Sequence, residues 1–546
     1  MKNIKYIYSY ISFILLSSVL WSCVDQLDKS PLDSFDNATF WSNEANAELA
    51  LTGVYRGGIV QNGTTVNPSN WWAYDGLLFM EFASDNAYDR RGDNSAFHRL
   101  SNGTLTSSIN ILNSYWSSSY KNIANCNFFL ENVDQVPMDE LKKERMKSEV
   151  RFLRAAQYYY MSQFWGSVPL VERTLSPEEA NTVTKAPKAE VVAFVLSEFA
   201  DILEYLPSHA ELPSAQRGRA TKQTVLAFQG RLQLSEKMFG DAVDTYAEII
   251  EMGENIIDPD YAGLFLKSNE DSNEIIFSTQ FIDNLAANGM LQHFFPALAG
   301  GWHIFNPLGS MVESYDFTDG SEFSFDSPLY DPNNIAANRD PRLKASVLYD
   351  GSTFKGTYIT HPDSASSPDQ LGAGKQTTQT GFGLKKFADE SFSGNLTNYG
   401  GNLPIIRYAE VLLSYLEAKI EAGHAISQAD LDGTINLVRA RASVNMPPIT
   451  ITEPAALREI LRKERRVELA FEGIRYWDLL RWDIAKDVLK ADFYGASFPG
   501  ANKKRLKNGQ PDPYSRWFVT TRSFRDGVDN TWPIPQSEVN INPALE

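Results

Sequence analysis

The chain has 546 residues, a formal net charge of −18 and a pI near 4.9. The acidic balance excludes a general nucleic-acid binder, whose polyphosphate partner needs a basic footprint. Two cysteines exclude a disulfide framework and a cysteine-based zinc cluster, and an apolar content of 43% excludes wholesale disorder.

Residues 1–22 read as a secretory leader. Lys2 and Lys5 give the positive start, and Ile11, Phe13, Ile14, Leu15, Leu16, Val19 and Leu20 give the apolar stretch. Interspersed serines leave it short of the ~20 predominantly apolar residues that a bilayer span requires. Leu20-Trp21-Ser22-Cys23 resembles a bacterial lipobox, with Leu at −3 and a small residue at −1. Trp21 departs from the small residue usual at −2. Cys23 is therefore the predicted lipidation site. Its thiol takes a diacylglyceryl group and its freed amine a further palmitate-type chain. Two or more acyl chains anchor stably where one is marginal. Residues 23–43 follow as a polar, lipidated tether. Cys126, in a helical stretch, reads as a buried small hydrophobe.

Helical periodicity dominates beyond the tether. Segments near 44–57, 110–132, 187–205, 219–236, 239–252 and 474–486 carry it. In Lys147–Trp165, Leu153, Ala156, Tyr160 and Phe164 share one face, and Gly166 and Pro169 end the helix. Arg407–Ala422 repeats the pattern, and Ala455–Phe471 places Leu457, Ile460, Val467 and Phe471 on one stripe. Residues 219–252 have the form of a tetratricopeptide-like hairpin, with Gly230, Ala242 and Tyr246 at the close-packing positions. Residues 407–442 form a second, more degenerate pair. No regular 34-residue period runs through the chain. Long irregular blocks at 58–108, 258–345 and 346–404 hold much of the aromatic and Asn/Asp content, and loops of that length are usually functional or insertional. The expected fold is mainly α. Helix pairs form a scaffold that carries a loop-rich region with few short strands. We divide it at 44–255 and 256–546 within one composite globular unit.

No nucleophile elbow, P-loop, dinucleotide fingerprint or zinc-protease motif is present. The six histidines are scattered and suggest no metal site. Glu81, Asp85 and Asp89 form the nearest acid cluster. A glycosidase-like pair is one reading of it, and a charged surface loop is the better one, since surface acids abound. Glu464 falls on the apolar stripe of its helix and needs a cationic partner. Arg475 and Arg481 are the expected partners, in a structural ion-pair network.

At this segment the chain becomes recognisable. Glu464-Arg465-Arg466-x-Glu468-Leu469-Ala470-Phe471-Glu472-Gly473-x-Arg475-Tyr476-x-Asp478-Leu479-x-Arg481-Trp482 resembles the C-terminal signature of the SusD/RagB family. Other stretches agree in family order. They are Ser148–Ala155 running into Tyr158, Tyr159 and Trp165-Gly166-Ser167-Val168-Pro169-Leu170, then Arg339-Asp340-Pro341-Arg342-Leu343, Arg407–Leu413, Val438-Arg439-x-Arg441-Ala442, and Trp532-Pro533-Ile534-Pro535 with Asn542-Pro543. Asp25-x-Leu27-Asp28-x-x-Pro31 after the lipobox is also family-like. The match covers nearly the whole of residues 23–546.

The resemblance implies a surface-exposed, lipid-anchored lipoprotein of the cell outer membrane in Bacteroidetes-type bacteria. It implies binding of oligosaccharide and its delivery to a SusC-like TonB-dependent transporter, with no enzymatic activity and no cofactor. Sugar recognition needs flat aromatic faces and bidentate polar groups. In the family much of this comes from the loop after an early Ser-Asp and from a mid-chain aromatic segment. Here those carry Asp85, Asn86, Tyr88, Arg90, Arg91, Phe97 and His98, and Phe295 and Trp302. Trp71 and Trp72, with Tyr74, are a further candidate platform. Trp116 and Tyr120 read as scaffold. The alternatives are an assembly scaffold or lid subunit of the transporter with no glycan specificity of its own, a binder of another nutrient such as peptide, and a surface hydrolase using Glu81, Asp85 or Asp89. The acidic balance disfavours strongly anionic glycans by like-charge repulsion, and Arg90, Arg91 and Arg99 can reverse this locally.

Overall fold

The structure is a computed structural model and describes residues 40–56, 70–374 and 376–546. The leader, Cys23 and the tether to residue 39 lie outside the described residues. None of the helices among the described residues is long and apolar enough to cross a membrane.

The main helices are α1 (Glu44–Arg56), α2 (Asn110–Asn132), α3 (Glu140–Phe164), α4 (Lys188–Ile202), α5 (Lys222–Ser235), α6 (Phe239–Met252), α7 (Tyr408–Glu421), α8 (Pro454–Glu468) and α9 (Arg475–Arg481). α3 packs between α2 and α4, α5 pairs with α6, α6 with α7, and α7 with α8. The α5–α6 hairpin depends on Gly230. A Cβ there would sit 2.4 Å from Cζ of Tyr246, so only glycine lets the two helices approach this closely.

α3 begins earlier than the expected Lys147, at Glu140. The Asp139 carboxylate accepts the N–H of Lys142 and caps it. Its first two turns are charged and carry no clear apolar stripe, which hid them from periodicity. α8 and α9 are shorter than expected and stop at Glu468 and Arg481. The second expected pair keeps its first helix, α7. Its partner breaks into two single-turn pieces, Gln428–Asp432 and Ile435–Arg439.

Among the described residues the strands form four antiparallel pairs. β1 (Ala87–Asp89) pairs with β3 (Phe305–Pro307), with Tyr88 opposite Asn306. β2 (Ile275–Thr279) pairs with β6 (Leu403–Arg407), β4 (Val347–Leu348) with β5 (Gly383–Leu384), and β7 (Asp492–Ser497) with β8 (Arg516–Thr521). Each joins segments that are far apart or loop-separated, so the strands clamp long loops onto the helices.

One aromatic-rich core runs through these elements. Trp532, near the C-terminus, stacks on Phe164 of α3 at 4.5 Å between ring centroids and faces Trp71 at 6.0 Å. Cys126 is buried there, and burial pushes its thiol up to about 12.

A buried ion-pair network lies beside this core. Glu468 meets Arg342, Arg407 and Arg441 at 2.9, 2.7 and 2.9 Å. Glu274 also pairs with Arg407 and Arg441, and Glu472 with Arg407 and Lys386. Burial acts to raise the pKa of Glu468. Arg441, Arg407 and Arg342 outweigh it and hold the carboxyl well below the usual range. The expected partners of Glu464 are corrected. It pairs with Arg342 at 2.6 Å and Arg439 at 2.5 Å. Arg475 holds Asp85 at 2.8 Å, and Arg481 bridges Glu417 and Asp478 at 2.5 and 2.8 Å.

Candidate functional site

The expected ligand residues fall mostly inside the protein. Trp71 is 3% exposed and lies in a stack with Tyr160, Phe164 and Trp532, its Nε1 donating to Ser119 at 2.9 Å. Trp72 is 5% exposed and packs on Phe152, Phe228 and Phe277. Tyr74 is buried against His293 and Phe294. The exposed platform expected at 71–74 is therefore a core wall.

The acid cluster is likewise not a solvated loop. Glu81, Asp85 and Asp89 are all buried. Asp85 sits between Arg466 and Arg475, each at 2.8 Å. Burial works to raise its pKa, and Arg466 and then Arg475 outweigh it, so the carboxyl stays well below its ordinary value. Asn86 donates to Glu81 at 2.8 Å and accepts from Arg466 at 2.8 Å. Burial raises Glu81 to about 7. A raised buried acid is a feature of catalytic sites, but here the carboxylate is used by Asn86, Ser84 and the N–H of Gly473. Asp89 is gripped bidentately by Arg91. Tyr88 donates to Asp93 at 3.1 Å and its ring faces that of His98 at 4.4 Å. Phe97 packs on Phe79 and Phe82, and Phe295 on Phe354. Trp302 and Arg90 are half-buried, and Arg91 is exposed. His293 and His303 are both buried, on Tyr74 and Tyr358 respectively. Trp116 and Tyr120 pack on each other at 5.0 Å, in the scaffold role expected of them.

These buried residues carry a surface cleft. The carbonyl of Asn86 accepts the N–H of Leu308 at 2.8 Å, and that of Asp85 accepts the Ser310 hydroxyl at 2.6 Å. The short helix Gly309–Glu313 is thereby fixed against β7. Gly309 fits only as glycine, since a Cβ would lie 2.8 Å from the carbonyl oxygen of Tyr494.

Between this helix, the 323–335 loop, the turn after β4 and strand β7 opens a cleft of about 310 Å³. Its walls carry Phe323, Phe325, Tyr330, Tyr349, Phe382 and Phe498, with Glu313, Asn333, Asp350, His361 and Ser497 among them. Phe323, Phe325 and Tyr330 are half-exposed. Phe325 stacks on Tyr514 at 4.6 Å and 19°. The buried Arg339 guanidinium lies 3.9 Å from the Phe323 ring centroid and donates to the carbonyls of Val312 and Tyr315. Arg516 pairs with Glu313 and Asp512 at 3.2 and 2.9 Å and lies 4.6 Å from the Tyr494 ring. Asp350 accepts the N–H groups of Thr360 and His361 at 2.6 and 2.9 Å. Nδ1 of His361 accepts from the N–H of Asp363 at 3.2 Å, which leaves Nε2 to carry the proton as a donor.

Rigid aromatic faces with a few fixed donors and acceptors suit a ligand with an apolar face and a polar edge. Among the described residues no group of three or more His, Cys, Asp or Glu side chains is placed to hold a metal ion. Sequence reasoning missed this cleft. Phe323 and Phe325 alternate within a stretch rich in Ser, Asp, Pro and Asn, which was a local signal. Ser497 and Phe498 arrive from more than 160 residues further on, and nothing local pairs them with the 323–335 loop.

The chain matches two family models. One, described as the SusD family, matches residues 269–546, and one described as starch-binding and associating with the outer membrane matches residues 43–234. A crystal structure of a SusD-like carbohydrate-binding protein from Bacteroides fragilis is 45% identical, with a TM-score of 0.90, covering 93% of this chain and 100% of that one. SusD-like protein P25 of Formosa agariphila is 24% identical over 99% of this chain and 98% of its own length. The starch-binding protein SusD of Bacteroides thetaiotaomicron is 23% identical over 94% of this chain and 97% of its own. The chain belongs to the SusD family.

Proposed function

We propose that this protein binds oligosaccharide at the cell surface without turning it over, and passes it to a SusC-like TonB-dependent transporter. The observation that carries this reading is the cleft, where half-exposed Phe323, Phe325 and Tyr330 lie among fixed polar groups. The family relationship and the 45%-identical relative, a SusD-like carbohydrate-binding protein, support it. No carboxylate pair faces the cleft free of engagement, because Glu313 is held by Arg516 and Asp350 by two backbone N–H groups. Lipidation at Cys23 would hold the protein at the outer membrane. Arg90, Arg91 and Trp302, which reach the surface beside β1 and β3, are assigned as a second ligand contact.

Phe325→Ala and Tyr330→Ala are expected to lower affinity for a retained oligosaccharide about tenfold each, the order of one stacking contact. Their unfolding midpoints should stay near that of the parent. Isothermal titration with thermal melts checks this, and unchanged affinity in both variants sinks the cleft assignment. Release of reducing ends from a bound glycan overturns the non-enzyme reading. Cys23→Ser should move the protein from the membrane fraction to the soluble fraction.

A further inference from the structure

Beside the cleft the chain reads Lys503-Lys504-Arg505-Leu506-Lys507, four basic residues in five with no acid among them, in a chain of net charge −18. Lys503, Lys504 and Arg505 are exposed. Lys507 is paired with Asp492, but among the described residues no carboxylate lies in ion-pair range of the other three.

The loop is held in place rather than trailing. The carboxylate of Asp363 accepts the N–H groups of Asn502 and Lys503 at 2.7 and 3.0 Å. The N–H of Asp363 in turn donates to His361 of the cleft wall at 3.2 Å. The carbonyl of Arg505 accepts from Phe518 of β8 at 3.0 Å. Phe498 lines both the cleft and the small hollow formed by Lys503, Lys504, Arg505 and Arg516. The nearby acids are engaged, Asp363 by backbone N–H groups, and Asp512 and Glu313 by Arg516.

Clustered like charges repel one another and are relieved by an anion between them. At physiological salt the screening length is about 8 Å, so the strip acts on a ligand group that comes within about that distance of it. We propose that the strip is an anion subsite at the end of the cleft, and that the ligand is an acidic oligosaccharide carrying carboxylate or sulfate groups. This rests on the reading of the cleft as an oligosaccharide site. Exposed ion pairs are individually weak, so the gain over a neutral sugar is about tenfold and salt-sensitive.

The test is titration of the purified protein with an oligogalacturonate and its carboxyl-reduced counterpart of equal length, and with a sulfated galactan oligomer and its desulfated form, at low and high salt. At least one acidic oligomer should bind about tenfold tighter than its uncharged counterpart, with the advantage fading in salt. The triple variant Lys503→Gln, Lys504→Gln, Arg505→Gln should remove that advantage while leaving the uncharged oligomer's affinity and the unfolding midpoint unchanged. Preference in the first pair alone assigns carboxylate, and in the second alone sulfate. Equal binding of charged and uncharged forms, or an advantage that survives the triple variant, overturns the inference and leaves the glycan reading standing. Loss of binding to anionic vesicles by the triple variant, with oligosaccharide affinity unmoved, makes the strip a membrane contact and also overturns it. No binding of any of the four oligomers by the parent protein overturns the inference, and the glycan reading then stands or falls on retention of a neutral oligosaccharide of another backbone.

Discussion

The backbone N–H of Asp89 donates to Nε2 of His98 at 3.0 Å, and Nδ1 of the same ring lies 2.9 Å from the carbonyl oxygen of Gly92. One nitrogen must accept and the other must donate, so the ring is neutral with its proton on Nδ1. Burial, then the positive charge of Arg522, lowers its pKa to about 4. The unfolded chain binds this proton near pH 6.5, and the folded chain refuses it until about 4. The stability contribution is therefore complete above pH 6.5 and lost progressively as the pH falls towards 4, on the order of 3 kcal/mol in all. His98→Gln should flatten this part of the acid limb in urea titrations taken between those pH values, and an unchanged slope refutes the assignment. The sequence allowed His98 as a ligand contact because a histidine in a polar loop looks the same whether its partners are a sugar or the loop's own backbone.

Among elements, the α5–α6 hairpin was readable and the loops were not. Gly230, Ala242 and Tyr246 fall at fixed helical offsets, and helix packing converts those offsets into contact. Gly230→Ala would drive a methyl group to 2.4 Å from the Tyr246 ring. Overpacking of this kind is expected to cost about 1–3 kcal/mol and outweigh the better helix propensity of alanine. A chemical denaturation curve decides it, and a stabilised variant would show that the ring moves aside freely. The loops answered to different rules. β1 finds β3 more than 200 residues away, and its three residues carry no alternation long enough to announce a strand. The early Ser-Asp loop thereby became a brace behind the cleft, and its aromatics went inward.

Across the whole molecule the family motifs converge. Arg342, Arg407, Arg439 and Arg441, with Glu464 and Glu468, come from four separated stretches and meet in one buried network. Glu274, from a stretch that carried no motif, completes it. Their value is mutual. Removing one charge leaves the others buried without compensation, which costs about 3–5 kcal/mol. Glu468→Gln keeps the shape and removes the charge that three arginines share. It is expected to lower the unfolding free energy by that amount, while the ligand affinity of the folded fraction stays unchanged. Lost affinity in protein that remains folded would mean that the network also shapes the cleft.

The sequence alone determined the helical scaffold, the hairpin, the family and the presence of a charged network, because each is written in local periodicity or in ordered motifs. Only the tertiary structure decided which charges pair and which aromatics face solvent. Ion pairing and burial depend on distances between residues hundreds of positions apart. Trp71 and Tyr330 are both aromatic residues in polar surroundings, and only the packing around them makes one core and the other cleft. The acidic balance first excluded a nucleic-acid partner. The fold adds that a basic run free of acids, residues 503–507, stands beside the cleft, a placement that net charge cannot express.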